Sequence, residues 1–211
     1  MMNITIRLET PSDFRETEAL TREAFWDLYK PGCDEHLILH KMRQVPAVLK
    51  ELDFVAIYEN KLVGHIIYSK AKVVKENNLE FEVLCLGPVS VLPEYQKKGI
   101  GSKLIKHSIA WAKKLGFKAI FLFGNPEYYH RFSFENAEKY KVKTSEGDNF
   151  DEFMASELYE NSLQGIEGKF YFDPIFHVDN KELETFEKEF PYKEKHVTST
   201  QLECGKKEIV T

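Results

Sequence analysis

The fold follows from residues 87–102, which read Gly87-Pro88-Val89-Ser90-Val91-Leu92-Pro93-Glu94-Tyr95-Gln96-Lys97-Lys98-Gly99-Ile100-Gly101-Ser102. An apolar strand ends at Pro93, a short polar turn carries two glycines, and an amphipathic helix follows. Such a junction gathers several backbone N–H groups at the positive end of a helix dipole, which favours binding of an anion, most often a phosphate. Glycine permits a close approach of that phosphate because it has no Cβ. Lys97 and Lys98 would add charge-assisted contacts at the rim.

Two better-known glycine motifs are excluded by the residues around this turn. A dinucleotide-binding loop has a third glycine three residues after the second, and the chain has Leu104 there. A nucleoside-triphosphate loop ends in Gly-Lys-Ser or Gly-Lys-Thr, which is also absent. The pattern that remains is Gln-x-x-Gly-x-Gly after a strand ending in Val-Leu-Pro. An ordinary strand-to-helix turn that uses glycine for tightness is the alternative.

Composition indicates a globular protein that acts on small molecules or on other proteins. Hydrophobic residues make up 43% and charged residues 30% of the 211 residues, as in ordinary globular domains. The net charge of −5 argues against a nucleic-acid partner. We expect neither a membrane partner nor a secretory segment, and a cytoplasmic location. Cys33, Cys85 and Cys204 have no metal-binding spacing, and His36 and His40 lack a third ligand, so no metal is expected.

The alternation of strand and helix signals predicts an α+β (mixed α/β) fold. A hairpin is expected where two apolar runs flank Glu59-Asn60-Lys61, and the next strand should bulge at Gly87-Pro88 because proline cannot donate to a ladder. The β-helix-β order from Leu84 to Phe123 predicts two parallel neighbours joined by a right-handed crossover. We expect one domain over residues 1–178. Residues 179–211 form a C-terminal extension of one charged helix and a polar tail, either packed on the domain or mobile.

A second motif follows the next core strand, Gly124-Asn125-Pro126-Glu127-Tyr128-Tyr129-His130-Arg131-Phe132-Ser133-Phe134. Together the two motifs resemble the GCN5-related N-acetyltransferases (GNAT family). The first is similar to the acetyl-coenzyme A (acetyl-CoA) pyrophosphate loop of that family. The second resembles a branch with a Gly-Asp-Pro-x-Tyr-Tyr motif and a tyrosine four residues before Gly-Phe. Asn125 and Ser133 depart from that branch, which has aspartate and glycine there. The resemblance covers roughly the first five-sixths of the chain.

The resemblance implies a fold and a cosubstrate. The fold would have a central mixed, mostly antiparallel sheet with a splayed parallel pair and helices on both faces. Val89 and Val91 would offer backbone groups to the pantetheine arm of acetyl-CoA, since a splayed strand leaves such groups unpaired. Asn125 would hold the pantetheine amide or a water molecule, although capping of its helix explains it equally. The residues expected around the pyrophosphate are Gln96, Lys97, Lys98, Gly99, Ile100, Gly101 and Ser102.

The resemblance also implies catalytic residues. It assigns Tyr129 the role of an acid that protonates the coenzyme A thiolate; the alternative is that Tyr128 and Tyr129 are walls of an aromatic core. Family members often carry a carboxylate near the bulged strand that works through water, which points to Glu80 and Glu82 as proton acceptors. Their alternation with Phe81 and Val83 fits a solvent-facing strand edge equally well.

The leading functional hypothesis is therefore acetyl-CoA-dependent N-acetyl transfer to a primary amine of a small molecule or a protein. An alkyl amine with a pKa of about 10.4 must lose a proton before it attacks a thioester directly. The negative net charge suits cationic acceptors such as polyamines, aminoglycosides or lysine side chains. The alternative is a sensor that binds acetyl-CoA without turnover. The C-terminal extension is a candidate homodimer contact.

Overall fold

The structure is a computed structural model that describes residues 2–204. The strands are β1 (Thr5–Leu8), β2 (Phe54–Tyr58), β3 (Lys61–Val74), β4 (Glu80–Val91), β5 (Ala119–Phe123), β6 (Glu135–Asn136), β7 (Val142–Thr144), β8 (Phe153–Glu157) and β9 (Gly168–Tyr171). The α-helices are α1 (Phe14–Phe25), α2 (Glu35–Met42), α3 (Ile100–Lys114), α4 (Pro126–Tyr129), α5 (Asn180–Glu187) and α6 (Ser199–Cys204). Short 3-10 helices cover Pro11–Asp13, Lys50–Leu52, Pro93–Tyr95, His130–Phe132, Ala137–Tyr140 and Pro174–Phe176.

All nine strands of the described residues belong to one mixed sheet. The main path runs β1-β2-β3-β4-β5-β8-β6, and β9 pairs with both β3 and β7. The pairs β4–β5 and β7–β9 are parallel and the others are antiparallel. The predicted mixed, mostly antiparallel sheet with a parallel pair is therefore confirmed. None of the helices in the described part of the chain is long and apolar enough to cross a bilayer.

The predicted bulge lies in β4 at Gly87-Pro88. Across the ladder, Ile66 of β3 pairs with Val89 and Tyr68 pairs with Leu86, so two residues of β4 oppose one residue of β3. The extra residue reverses the alternation of side chains along the strand. Leu86 before the bulge and Val89 after it therefore pack into the same core.

The same region separates β4 from β5. The two strands pair through Leu84↔Ile120 and Cys85↔Phe121, both before the bulge. Past that point β5 continues to pair with β8 as far as Phe123, while β4 continues along β3 as far as Val91. A gap therefore opens between the carboxyl ends of two parallel strands, which is where open α/β sheets place ligands.

Helices cover both faces of the sheet, as predicted. Leu104 and Ile105 of α3 are fully buried against one side, here called the α3 face. Ile38 and Met42 of α2 pack against Ile67 on the other side, here called the α2 face. Burial of a full-sized aliphatic side chain contributes about 1.5–3 kcal/mol, so these contacts fix both helices firmly on the sheet.

The C-terminal extension packs against α1 and α2. The Glu187 carboxylate accepts from the Arg22 guanidinium at 2.9 Å and lies 2.6 Å from Nε2 of His36. The Trp26 indole donates to the Glu194 carbonyl at 2.9 Å. The sequence left open whether this extension is packed on the domain or mobile, and its described part, residues 179–204, is packed. Residues 205–211 of the predicted tail lie outside the described residues, and the division into residues 1–178 and 179–211 stays a prediction.

Candidate active site

The predicted anion site lies at the start of α3. Gly99 occupies the N-cap position in a left-handed conformation (φ 83°), and no side chain caps the helix. The first backbone N–H groups of the helix, at Ile100, Gly101 and Ser102, thus have no partner within the helix ladder and no capping side chain. Together with the helix dipole they can bind a phosphate group.

Side chains of the turn hold its shape. Gln96 donates from Nε2 to the Val91 carbonyl at 3.0 Å, which ties the turn to the end of β4. Lys98 donates to the Glu94 carbonyl at 2.7 Å, and Lys97 adopts a left-handed backbone conformation (φ 58°). Gln96 was predicted to surround a pyrophosphate, and the structure shows that its side chain also positions the backbone that would do so.

The two sequence motifs meet at Gly101. A Cβ atom on this residue would lie 2.6 Å from Oη of Tyr128. The Tyr128 ring in turn lies 4.1 Å from Cζ of Arg131, within cation–π range. The neighbouring phenol therefore leaves no room for a side chain at position 101 unless Tyr128 moves. Sequence reasoning considered Tyr128 only as a core wall and missed this contact; the signal available to it was the adjacent pair of tyrosines.

Tyr129 lies beside Tyr128 at the end of α4. Its ring contacts the rings of Tyr128 and Phe134 at centroid distances of 5.1 and 5.6 Å. Burial raises the pKa of the Tyr129 phenol far above its ordinary value of 10, and the neighbouring phenols of Tyr128, Tyr29 and Tyr68 raise it further. The group therefore stays protonated at neutral pH and is available as a proton donor. Tyr29 belongs to the loop between α1 and α2, so this loop approaches Tyr129.

Val89 and Val91 border the gap. Their β3 side is paired with Ile66 and Gly64, whereas no described pairing continues toward β5 beyond Cys85. This edge of β4 thus offers backbone donors and acceptors to an extended amide-containing ligand.

Asn125 caps α4. Its Oδ1 accepts from the Glu127 N–H at 2.9 Å, and Pro126 occupies the first helical position. The capping alternative from the sequence is confirmed, and a contact with a ligand amide stays a prediction.

Glu80 and Glu82 lie at the opposite end of β4. Both are exposed, and they form ion pairs with Lys72 at 2.7 Å and Lys70 at 2.9 Å. A strand advances about 3.3 Å per residue, so seven residues place Glu82 roughly 20 Å from Val89. The structure does not bring these glutamates to Tyr129, and their position favours the solvent-facing alternative.

The α2 face of the gap is apolar and aromatic. Phe123 at the end of β5 keeps 36% of its surface exposed, and its ring lies 5.6 Å from Phe172. Phe172 contacts Phe176 at 5.4 Å. On the β4 side, a Cβ on Gly87 would lie 3.0 Å from Cε of Met42. Sequence patterns gave no sign of this wall, because its residues come from four separate segments.

A buried cluster beneath α1 has the donor set of a metal site. Ligand atoms of Glu9, Asp53 and His65 lie within 4.8 Å of one another. However, the Arg43 guanidinium already donates to Glu9 at 2.7 Å, and Nε2 of His65 lies 2.8 Å from Asp53. The cluster therefore already contains its own cation and serves as an internal ion network.

The two histidines of α2 differ in exposure. His40 is partly exposed, and its Nδ1 lies 2.9 Å from Glu18. His36 is fully buried and stacks on Phe186 of the C-terminal extension. The C-terminal extension covers the side of α2 that carries His36.

Comparison with known proteins agrees with this geometry. The model of the acetyltransferase (GNAT) family matches residues 17–134, more than half of the chain. The uncharacterized N-acetyltransferase YjhQ of Escherichia coli K12 is 37% identical over 84 residues, 40% of this chain and 46% of that protein. The uncharacterized N-acetyltransferase YhbS of the same strain is 24% identical over 164 residues, 77% of this chain and 92% of that protein.

Solved structures are similar over most of the chain. The crystal structure of Escherichia coli YhbS in complex with CoA superposes with a TM-score of 0.74 at 22% identity, covering 83% of this chain and 93% of that one. A GNAT family acetyltransferase from Brucella melitensis in complex with acetyl-CoA has a TM-score of 0.66 at 27% identity, covering 84% and 100%.

Proposed function

The chain belongs to the acetyltransferase (GNAT) family, and from that premise we propose that it transfers the acetyl group of acetyl-CoA to a primary amine by direct attack. One observation carries the proposal. The uncapped start of α3, the unpaired edge of β4 and the protonated phenol of Tyr129 all border the same gap between β4 and β5. A phosphate, an amide chain and a thioester follow one another in acetyl-CoA in that order.

Different groups of the chain would bind different parts of acetyl-CoA. The N–H groups at Ile100, Gly101 and Ser102 would hold the pyrophosphate, with Lys97 and Lys98 adding positive charge at the rim. The backbone of Val89 and Val91 would bond the pantetheine amides. Two similar proteins crystallised with CoA and with acetyl-CoA support this assignment.

Tyr129 would act at the thioester end. As the carbon–sulfur bond breaks, the departing sulfur becomes a thiolate, and the phenol can give it a proton. The amide nitrogen formed in the same step carries one proton too many, which can return to the phenolate oxygen. The high pKa of Tyr129 keeps its proton in place until a thiolate is there to take it.

The first test is binding and turnover of acetyl-CoA. Isothermal titration should show binding of acetyl-CoA, and a thiol-release assay should show turnover with members of a panel of primary amines. Tyr129→Phe should lower kcat by about 10²–10⁴-fold, the usual contribution of a positioned acid, with an unchanged Kd for acetyl-CoA. Tyr192→Phe is the matched control, since that side chain is 93% exposed. Absence of acetyl-CoA binding at millimolar concentration would overturn the proposal.

A second candidate function is a sensor that binds acetyl-CoA without turnover. The observation that favours it is the remote position of Glu80 and Glu82, which leaves the predicted proton acceptors outside the site. Binding by titration together with no thiol release from any amine would identify a sensor.

The acceptor itself remains a prediction from the sequence. We propose a cationic amine of a small molecule or a peptide, because the net charge of −5 attracts such acceptors. The cytoplasmic location and a homodimer contact by the C-terminal extension also stay predictions.

A further inference from the structure

The gap between β4 and β5 has two different faces. Leu122 of β5 packs into the core beneath α3, in the same cluster as Tyr129, whereas Phe123 points to the other side. The start of α3 and Tyr129 thus belong to the α3 face. An acceptor amine that meets the thioester in the gap therefore has to come from the α2 face, and so must the group that takes its proton.

Helix α2 supplies a continuous stripe to that face. Glu35, Ile38 and Met42 are spaced by three and four residues, so they lie one above another on the helix. Met42 approaches Gly87 in the bulge of β4, and Ile38 packs in one cluster with Met42, Ile67 and Phe176. Glu35 is the first residue of the helix and ends this stripe.

The stripe is joined to the end of β5 through aromatic rings. Phe176, which packs in the same cluster as Ile38, contacts Phe172 at 5.4 Å, and Phe172 contacts Phe123 at 5.6 Å. The loop that leads into Glu35 also carries Tyr29, whose phenol is close enough to Tyr129 to contribute to the raised pKa of the Tyr129 phenol. Glu35 thus belongs to the helix whose apolar stripe borders the α2 face of the gap.

Among residues 2–204, no cation lies within ion-pair distance of the Glu35 carboxylate. It accepts the Asp34 N–H at 3.1 Å, and the nearest cation acting on it, Lys30, is itself bonded to the Asp34 carboxylate. Burial raises the pKa of Glu35 to about 7, with the charge of Asp34 adding to the rise and Lys30 opposing it. The third titratable neighbour is Cys33, which remains a thiol because burial also raises its pKa. A base works best when its pKa lies near the working pH.

Three titratable groups of α1, α2 and the loop after β1 are already engaged. His36 is fully buried, lies 2.6 Å from Glu187 and is stacked on Phe186. The carboxylates of Glu9 and Glu18 both bond to Arg43. Unlike these three, Glu35 combines a place on the helix that borders the gap with the absence of any ion-pair partner among the described residues.

We propose that Glu35 is the catalytic base that deprotonates the acceptor amine, an inference that rests on the proposed acetyl transfer. The acceptor enters as an ammonium ion and gives one proton to the Glu35 carboxylate. Its nitrogen then forms a bond to the thioester carbonyl carbon, and the carbon–sulfur bond breaks. Sulfur takes the Tyr129 proton, the surplus proton on the amide nitrogen returns to Tyr129, and Glu35 releases its proton to water.

The test compares Glu35→Gln with the unchanged protein on an amine that the unchanged protein acetylates. At pH 7 the kcat/KM of the variant should fall by about 10²-fold or more. The acidic limb of the pH profile, with a midpoint near 7 in the unchanged protein, should be absent. The variant's rate should instead rise tenfold per pH unit as free amine forms. The Kd for acetyl-CoA should not change, which also shows that the variant is folded.

Two further variants complete the test. Glu35→Asp keeps a carboxylate on a side chain that is one methylene shorter, and it should retain the acidic limb of the pH profile at a reduced rate. If the glutamine variant does not fold, this aspartate variant tests the role of Glu35 in its place. Glu184→Gln, the same change on an exposed residue of α5, should leave the profile unaltered. A glutamine variant with the unchanged rate and limb overturns the role of Glu35 while acetyl transfer stands. Failure of the unchanged protein to release thiol overturns the proposed function instead.

Discussion

The raised pKa of Glu35 makes a thermodynamic prediction that needs no substrate. The carboxyl group changes from a pKa of 4.5 in the unfolded chain to about 7 in the folded protein. Each pKa unit corresponds to 1.36 kcal/mol, so ionising Glu35 in the folded protein costs about 3 kcal/mol. Glu35→Gln removes that cost because glutamine is neutral at every pH and has nearly the same shape as protonated glutamate.

The sign of the pH dependence follows from proton uptake. Between pH 4.5 and 7 the folded protein holds a proton on Glu35 that the unfolded chain has already lost. The free energy of unfolding of the unchanged protein must therefore decrease as the pH rises through this window, and it levels off above pH 7. Relative to the unchanged protein, the glutamine variant should gain nothing at pH 4.5 and about 3 kcal/mol at pH 8.

Urea unfolding at pH 4.5, 6, 7 and 8 measures this difference, with equal m-values showing that both proteins unfold alike. Glu184→Gln is the control, and a surface change of this kind should stay within about 0.5 kcal/mol at every pH. A difference between the glutamine variant and the unchanged protein that is the same at pH 4.5 and pH 8 would refute the reasoning. A variant that gains stability and loses activity would have the signature of a functional site.

Three further predictions concern the elements around the gap. Ser133 has a left-handed backbone (φ 65°), so Ser133→Gly should stabilise by about 1 kcal/mol and raise Tm by about 2–4 °C in a thermal melt. Gly101→Ala should weaken acetyl-CoA binding in titration because its Cβ would lie 2.6 Å from the Tyr128 hydroxyl, and adding Tyr128→Phe should restore binding; a double variant no better than the single one contradicts this. Glu187→Ala removes the closest carboxylate partner of Arg22, a side chain that is only 4% exposed, and should cost about 3 kcal/mol in urea unfolding. A loss below about 1 kcal/mol would contradict a buried pair.

Sequence reasoning succeeded where a feature is local. The N–H cluster at Gly99 and Gly101, the bulge at Gly87-Pro88 and the cap at Asn125 each depend on a few consecutive residues, and their conformations follow from backbone sterics. The end of α1 is not local in this sense: the helix stops at Phe25, where Trp26 has a ψ of 123°. Trp26 bonds to a carbonyl in the C-terminal extension, a contact that no local pattern contains.

The proton acceptor could not be predicted from local sequence either, because its position depends on contacts between segments that are distant in the chain. Alternation along β4 shows that Glu80 and Glu82 share a face, but it does not say which end of the strand borders the gap. That end is fixed by the pairing of Leu84 with Ile120, which depends on the whole sheet. Nor does the sequence around Glu35 distinguish it from a surface helix start, since its raised pKa comes mainly from burial in the folded protein.

The Gly87-Pro88 bulge connects the two halves of the proposed reaction. By inserting one residue it keeps Val89 on the α3 face and ends the pairing with β5, so the donor has a strand edge to bind. By placing a glycine beneath Met42 it also lets α2 approach β4 on the opposite face, where the acceptor would enter. A side chain at position 87 would meet Met42 and Ile67 at 3.0–3.1 Å and push α2 away. Gly87→Val should therefore raise the KM for the amine more than the Kd for acetyl-CoA, and an equal change in both constants would show that the bulge serves the donor alone.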